Sequence, residues 1–525
     1  MDNSVIGWNR GKGLGGSSAM NFWAWIKPPS EDVDAWEALG NSGWNWESYQ
    51  KYVLRAEKFT PTTEIDPGDF ARHNADWRGQ SGLIKTMVSD RVRILDKLYF
   101  DTAKNLGIPL LEDPYGGNIT GAWTASSTID KESQWKRSYS ATACYLPYLG
   151  QPNFKVLTEA AAAQILFSEE KQDGKLVATG VKFIHGDKTH VVHARKEIIS
   201  SAGAIKTPQL LELSGIGRAD VLRRIGVPLK IELPGVGENV QDHLVIGIPM
   251  EIKTTIGVSP TFDLLRDPEY LKAQAELVEL DQPNAHRYAI NNFTYIPYSL
   301  ANPGDAPSLV EKAEARVRAL KDSGRLPPGL AEQYDLQLRA LRDSHVPDVE
   351  LIMFPAFFSW KTPPQPGTLY ATLFCVHNHP FSRGTIHSVS NNPLDDPEID
   401  PHYLEDPIDL ELYAQSVRYA KKLAKTEPWK SIVVKGVDSG MNHTSDEEVE
   451  SFVKNYSGSC FHAVGSASML PREKNGVVDP ELRVYGTANL RICDISVVPL
   501  HVAAHTQSLA YALGEKLADM LKTAA

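Results

Sequence analysis

Two stretches of this chain gather glycine, serine and asparagine densely enough to bring main chain against a large ligand. Residues 10–28 read RGKGLGGSSAMNFWAWIKP, and residues 201–217 read SAGAIKTPQLLELSGIG and run straight into a helix. Small residues let backbone approach a ligand closely, while hydroxyl and amide side chains offer it hydrogen bonds. The chain also carries 15 histidines. Imidazole, with an ordinary pKa of about 6.5, is the side chain suited to a proton-transfer step at neutral pH. His462 lies in FHAVGSASM, where Gly465, Ser466 and Ser468 fit a tight backbone around the ring, and His505 opens HTQSLAYALGEKLAD.

Other arrangements suggest chemistry that their context does not support. His501 and His505 stand four apart, as two metal ligands on one helix would, but Pro499 precedes them and no acidic partner follows. His377 and His379 alternate on a predicted strand and read as pocket lining or surface. No metal site is expected. Ser214, in LSGIG, lacks the G-x-S-x-G frame of a hydrolase nucleophile. Gly11, Gly13 and Gly16 satisfy G-x-G-x-x-G, with Glu31, Asp32 and Asp34 about 20 positions on. That fingerprint needs a buried strand before it and a helix opening at its third glycine. Here NSVIGWNR is short and polar at its end, Pro28-Pro29 interrupts the chain, and the acids fall on an amphipathic helix.

These residues must be positioned by a chain of 525 residues, long enough for about two to four structural units. A net charge of −11 without a basic stripe excludes a nucleic-acid partner. No apolar run is long enough to span a membrane, and no signal peptide is visible; compartment and oligomeric state are left open. The four cysteines, Cys144, Cys375, Cys460 and Cys493, form no CxxC pair, so neither a disulfide framework nor a zinc site is expected. Asn118, Asn292, Asn442 and Asn455 begin glycosylation sequons, about the number chance would give.

Residues 31–59 read as helical pieces broken at Gly40 to Trp44, and the tryptophans Trp23, Trp25, Trp36, Trp44 and Trp46 read chiefly as packing. From Asn153 the pattern changes to short alternating strands (FKVLT, AQILF, LVATGVKFI, HVVHARKEIISSA) with hairpin turns at Asp173-Gly174 and His185-Gly186-Asp187, which predicts a β-meander. Residues 246–300 mix strands and helix, and Pro307 to Asp343 read as a charged helical surface insertion. Strand-rich VELIMFPAFF, TLYATLFCV and GTIHSVS follow, then a helix over 406–426 and a final helix over 507–522.

The two glycine-rich segments resemble the signature segments of the glucose–methanol–choline (GMC) family of FAD-dependent oxidoreductases. PGVGENVQDH, SRGTIHSVS with IDPHYLEDPIDLELY, FHAVGSASM, VVDPELRVYGTANLRICDISVVP and HTQSLAYALGEKLAD resemble further family segments, in family order and over nearly the whole chain. The resemblance implies an α/β (mixed α+β) fold. It comprises an FAD-binding domain assembled from residues 1–60, 150–245 and 456–525, and a substrate domain on a mostly antiparallel sheet from 61–149 and 246–455. It implies oxidation of a CH–OH group of a small-molecule alcohol, with hydride passing to flavin N5. His462 takes the place of the catalytic base, and His505 that of the group orienting the substrate oxygen. Cofactor contacts are implied at Gly15, Gly16, Ser17, Ser18, Asn21, Ala162, Asp494, Thr506 and Gln507. The phrasing is closest to fungal members, some of which act in secondary metabolism.

In the family a βαβ unit that cradles the ADP half of FAD comes first, and Arg10 here lies only nine residues from Met1. The sequence therefore reads as a GMC domain shortened at its N-terminus, from a fragment or from a protein that holds FAD weakly or not at all. In the second case His462 and His505 serve a lyase, cyclase or isomerase reaction, or the chain is inactive.

Overall fold

A computed structural model describes residues 5–61, 73–89, 93–254 and 261–523; the parts of the expected domain segments at 1–4, 62–72, 90–92, 255–260 and 524–525 lie outside them. Helices α1 (Ser30–Ala38) and α2 (Trp46–Ala56) are separated where Gly40 and Gly43 turn the chain, and the Asn45 side chain caps α2 by accepting from Ser48 N. Strand β1 (Gly121–Thr124) follows, then the meander of β2 (Ala160–Gln172), β3 (Lys175–His185) and β4 (Lys188–His193). Asp173 and Gly174 both adopt positive φ between β2 and β3, the backbone of a tight hairpin whose twist matches its strands. The predicted strand FKVLT does not form: residues 154–158 are an exposed, unpaired loop that buries neither face. Nor does EIISSA join the meander. Strand β5 (Ile198–Ser200) pairs in parallel with residues Leu490–Ile492 and leads into α3 (Gly203–Leu213).

Further strands are β6 (Leu244–Ile252), β7 (Asn292–Ile296), β8 (Val349–Phe354), β9 (Tyr370–His377), β10 (Val433–Gly436), β11 (Ser457–Ser459) and β12 (Leu490–Ile492). All but β12 join β1 in one seven-stranded sheet, ordered β10-β6-β9-β8-β7-β1 with β11 also on β6, and every pairing is antiparallel. Helices α4 (Ala306–Asp322) and α5 (Leu330–Arg342) precede β8; α6 (Pro407–Ala424) follows β9, and α7 (Gln507–Thr523) ends the described chain. Asp406 caps α6 by accepting from Ile408 N, with Pro407 in the first turn, as the sequence leads one to expect.

Strand alternation divides the sheet's side chains between two cores. Leu351, Cys375 and Ile246 share one face and pack with Tyr413, Val417 and Ala420 of α6. The other face carries Trp123, Phe293, Tyr295, Glu350 and Ile352, set opposite one another by the register. There the Trp123 ring stacks on Phe293 and Tyr295 at centroid distances of 5.8 and 5.6 Å. This second face belongs to the core that also holds Val464, Val502 and Ala503, the backbone around the conspicuous histidines.

The helical stretch from Pro307 is more than a surface insertion. Tyr334 and Leu338 of α5 are buried against Phe381, Ile408 and Leu412, and Gln333 and Gln337 hold the guanidinium of Arg383. Asn292, though in a sequon, is buried in β7 and donates to Asp96, so folding removes it as a glycan acceptor.

Candidate active site

His462 is fixed at its backbone and at its ring. It follows β11, where Cys460 N donates to His243 O (2.8 Å), and it precedes Val464, whose N–H and C=O pair with Gln241. The segment Gln241–His243 thus runs alongside on both sides of His462. Asp242 Oδ1 accepts from His462 N (2.8 Å), and the His462 carbonyl accepts from His501 Nε2 (3.0 Å). The ring's Nδ1 lies 3.0 Å from His243 Nδ1. Asp242 is held in turn by Ser459 Oγ (2.6 Å) and the Tyr403 hydroxyl, and Arg10 donates to Phe461 O at 2.5 Å, tying the first glycine-rich segment to the same turn.

His505 comes from the other side of the site. Its ring lies 4.7 Å from that of His462, centroid to centroid, and its Nε2 is 2.9 Å from Glu350 Oε1. Phe293 meets its edge at 5.4 Å. Glu350 is fully buried in β8, opposite Tyr295, and burial beside this carboxylate pushes the Tyr295 phenol well above its ordinary range. The remaining ring nitrogens, His462 Nε2 and His505 Nδ1, have no hydrogen-bond partner among the described residues.

Burial holds His462 well below the ordinary imidazole range, and the neighbouring His505, His501 and Arg10 add to the effect. His243 is lowered for the same reasons, and burial takes His501 to about 3. All three rings are therefore neutral at pH 7. His379 runs the other way: burial lowers it, but Asp32 at 3.0 Å outweighs burial and the net result is about 10. Asp32 also accepts from Ala503 N (2.7 Å), so this buried pair anchors the loop between His501 and His505.

The chain matches the GMC oxidoreductase family over residues 1–245 and again over 380–514. The GMC oxidoreductase family protein Mala s 12 of Malassezia sympodialis is 32% identical, over 99% of this chain and 81% of that protein. The chain belongs to the GMC oxidoreductase family. Among solved GMC-type structures, an FAD-dependent oxidoreductase from Chaetomium thermophilum superposes with a TM-score of 0.89 at 29% identity, covering 100% of this chain and 88% of that one. A fungal aryl-alcohol oxidase gives 0.87 at 25% identity, over 99% and 87% of the two chains.

Several of the predicted GMC site residues converge. Asn21 Nδ2 donates to Gln507 Oε1 (2.8 Å), joining the first signature to the start of α7. Asn21 Oδ1 also accepts from Arg137 (2.5 Å). Gly15 caps the short 3-10 turn Gly16–Ala19, Ser18 Oγ donates to Gly15 O (2.6 Å), and Ser17 Oγ accepts from Gly11 N (3.2 Å). A Cβ on Gly11 would sit 2.2 Å from Gly16 O, which is why this loop needs glycine there; no α-helix opens at Gly16 and, among the described residues, no strand precedes the loop, so it does not have the form of a dinucleotide fingerprint. Asp494 Oδ2 accepts from Gly203 N (3.0 Å) and Thr207 Oγ1 (2.7 Å), bringing the end of β12 to the start of α3. Thr506 is buried just before α7, its carbonyl accepting from Ala510 N (3.2 Å), and Ala162 is exposed on β2 opposite Phe183.

Of the two expectations for His377 and His379, a surface position is wrong. Both are buried and paired with carboxylates, Asp409 and Asp32, because the end of β9 and the residues after it run into the interior beside acidic helix starts. His501 is not helical, and no cluster of metal-ligand side chains occurs among the described residues. No described helix is long and apolar enough to cross a membrane.

Glu350, His243 and Asp242 were not singled out from sequence, although the latter two close the PGVGENVQDH segment. An FAD cofactor fits the residues present. Gly203 (φ 79°) faces open space, Ala202 gives α3 no side-chain cap, and buried Trp23 Nε1 and Arg10 Nη2 have no partner among the described residues. The unpartnered donors of Trp23 and Arg10 can bond a cofactor's polar groups, while the first N–H of α3 is already taken by Asp494.

Proposed function

We propose that this GMC oxidoreductase oxidises a CH–OH group of a small-molecule alcohol, with His462 as the base and His505 holding the substrate oxygen. FAD, when bound, supplies the acceptor for the hydride that leaves the alcohol carbon. The observation that carries the reading is the pair of neighbouring imidazoles, each engaged at one nitrogen, by His243 and by Glu350. On this reading His462 Nε2 and His505 Nδ1 are the ring nitrogens left to meet a hydroxyl.

His462 is neutral at pH 7, so its lone pair is available to take the hydroxyl proton. Glu350 Oε1, 2.9 Å from His505 Nε2, fixes that ring's rotation, and Nδ1 holds the substrate oxygen in the form that carries a hydrogen there to donate. Ser17, Ser18, Asn21, Gln507, Asp494 and the N-terminus of α3 would hold the cofactor. On this reading residues 1–60, 150–245 and 456–525 form the FAD domain, and the substrate domain of 61–149 and 246–455, which supplies β1, β7, β8, β9, β10 and most of β6 to the seven-stranded sheet, covers the site.

The test is to add FAD to the purified protein, remove the excess, and mix the product anaerobically with benzylic, allylic and aliphatic alcohols. Retained flavin absorbance that bleaches with at least one alcohol supports the reading. Folded protein that retains no flavin, or flavin that no alcohol reduces, overturns it.

A further inference from the structure

We infer that His243 is the positioning residue of His462, its Nδ1 accepting the Nδ1–H of the His462 ring so that Nε2 is the bare nitrogen. The inference rests on the reading of His462 as the base. It assigns a task to the QDH end of PGVGENVQDH.

Two nitrogens 3.0 Å apart can share one hydrogen, and two neutral imidazoles can arrange it in two ways. If His243 donated, His462 would carry its hydrogen on Nε2 and have no lone pair to offer a substrate. If His462 donates, Nε2 is bare. Which nitrogen of a histidine is protonated is set by the bond the other nitrogen makes. The only polar partner of the His462 ring among the described residues is His243.

The surrounding geometry leaves the His462 ring little freedom to choose another partner. The backbone N–H of His462 is held by Asp242, the neighbour of His243, and its backbone carbonyl by His501 Nε2. Val502 N donates to His501 Nδ1 (2.9 Å), so His501 must carry its hydrogen on Nε2, the atom that reaches the His462 carbonyl. His243 and His501 stack with ring centroids 3.6 Å apart at 21°. One stacked pair therefore grips both the peptide and the ring of His462. Burial disfavours a charge on His243, so it receives the hydrogen bond without taking the proton.

Two substitutions separate hydrogen bonding from packing. H243F keeps a ring to stack on His501 but has no acceptor; H243N loses the ring, yet its side-chain oxygen can accept near the former Nδ1. In the FAD-loaded protein, H243F is expected to slow flavin reduction by alcohol about 10- to 100-fold with little change in KM, and H243N to stay within about threefold of wild type. Nitrogen-15 spectra of histidine-labelled protein should show His462 protonated at Nδ1 in wild type and H243N, and shifted towards Nε2–H in H243F. H243F at the wild-type rate, or a wild-type His462 carrying its hydrogen on Nε2, overturns the inference. H462A separates the two claims: if it reduces flavin at the wild-type rate, the reading of His462 as base fails, whereas a slow H462A beside a fast H243F removes only His243.

Discussion

His505 Nε2 and Glu350 Oε1 are 2.9 Å apart, joining a loop before α7 to the start of strand β8, 155 positions away in sequence. Glu350 is fully buried, and the imidazole it faces is one of the two rings that meet the proposed substrate. Replacing Glu350 with leucine keeps the bulk but leaves a buried N–H without an acceptor, a loss of about 1–3 kcal/mol. The expected result is a fall of about 10- to 100-fold in the rate of flavin reduction by alcohol, measured by stopped flow. E350Q, which keeps an oxygen for the bond, should lose less.

The buried histidines predict a stability optimum near neutrality. His243, His462 and His501 have lowered folded pKa values, His501 to about 3, so the stability they contribute is present above the ordinary value of about 6.5 and is lost as pH falls below it. His379, raised to about 10, contributes stability that is complete below about 6.5 and lost as pH rises towards 10. Melting temperature measured across pH 4.5 to 10 should therefore fall on both sides. H379Q should flatten the alkaline limb and leave the acid limb in place.

Asp32 makes a separate prediction because it serves both the ion pair and a backbone N–H. D32A leaves His379 charged and unpaired, and Ala503 N without its acceptor. A buried pair broken in this way costs about 3–5 kcal/mol. Chemical denaturation should report that loss, and D32N, which keeps an acceptor for Ala503 N, should recover part of it.

Gly203 tests the cofactor cradle. An alanine there meets no atom within 4 Å but must adopt a φ of 79° and projects into the open space beside α3. The strain alone costs about 1–2 kcal/mol. If FAD occupies that space, G203A should weaken FAD binding, read by quenching of flavin fluorescence, by more than the change in melting temperature accounts for.

The comparison of sequence with structure follows the range of the interactions. Local rules located α6 from Asp406-Pro407, the hairpin at Asp173-Gly174 and the break at Gly40 to Trp44, because caps and turns involve only neighbours. Motif order brought out His462, His505, Asn21 and Gln507, and the last two prove to be hydrogen-bonded across 486 positions. Glu350 was illegible within VELIMF. An acidic residue there reads as the solvent side of a strand, and only the register with Tyr295 shows that both faces of the sheet are covered. Asp32 reads as the polar side of an amphipathic helix, yet it lies against His379. FKVLT has the alternation of a strand but stays exposed and unpaired, and whether a strand finds a partner is not encoded in its own residues.

The central claim is that His462 takes the hydroxyl proton, and the most direct measurement is flavin reduction in H462A. FAD-loaded wild type and H462A would be mixed anaerobically with the alcohol that reduces wild type fastest, and flavin absorbance followed with time. The account predicts that H462A retains FAD and is reduced about 10²- to 10⁴-fold more slowly, the range of a lost general base. Reduction of H462A at the wild-type rate would contradict it.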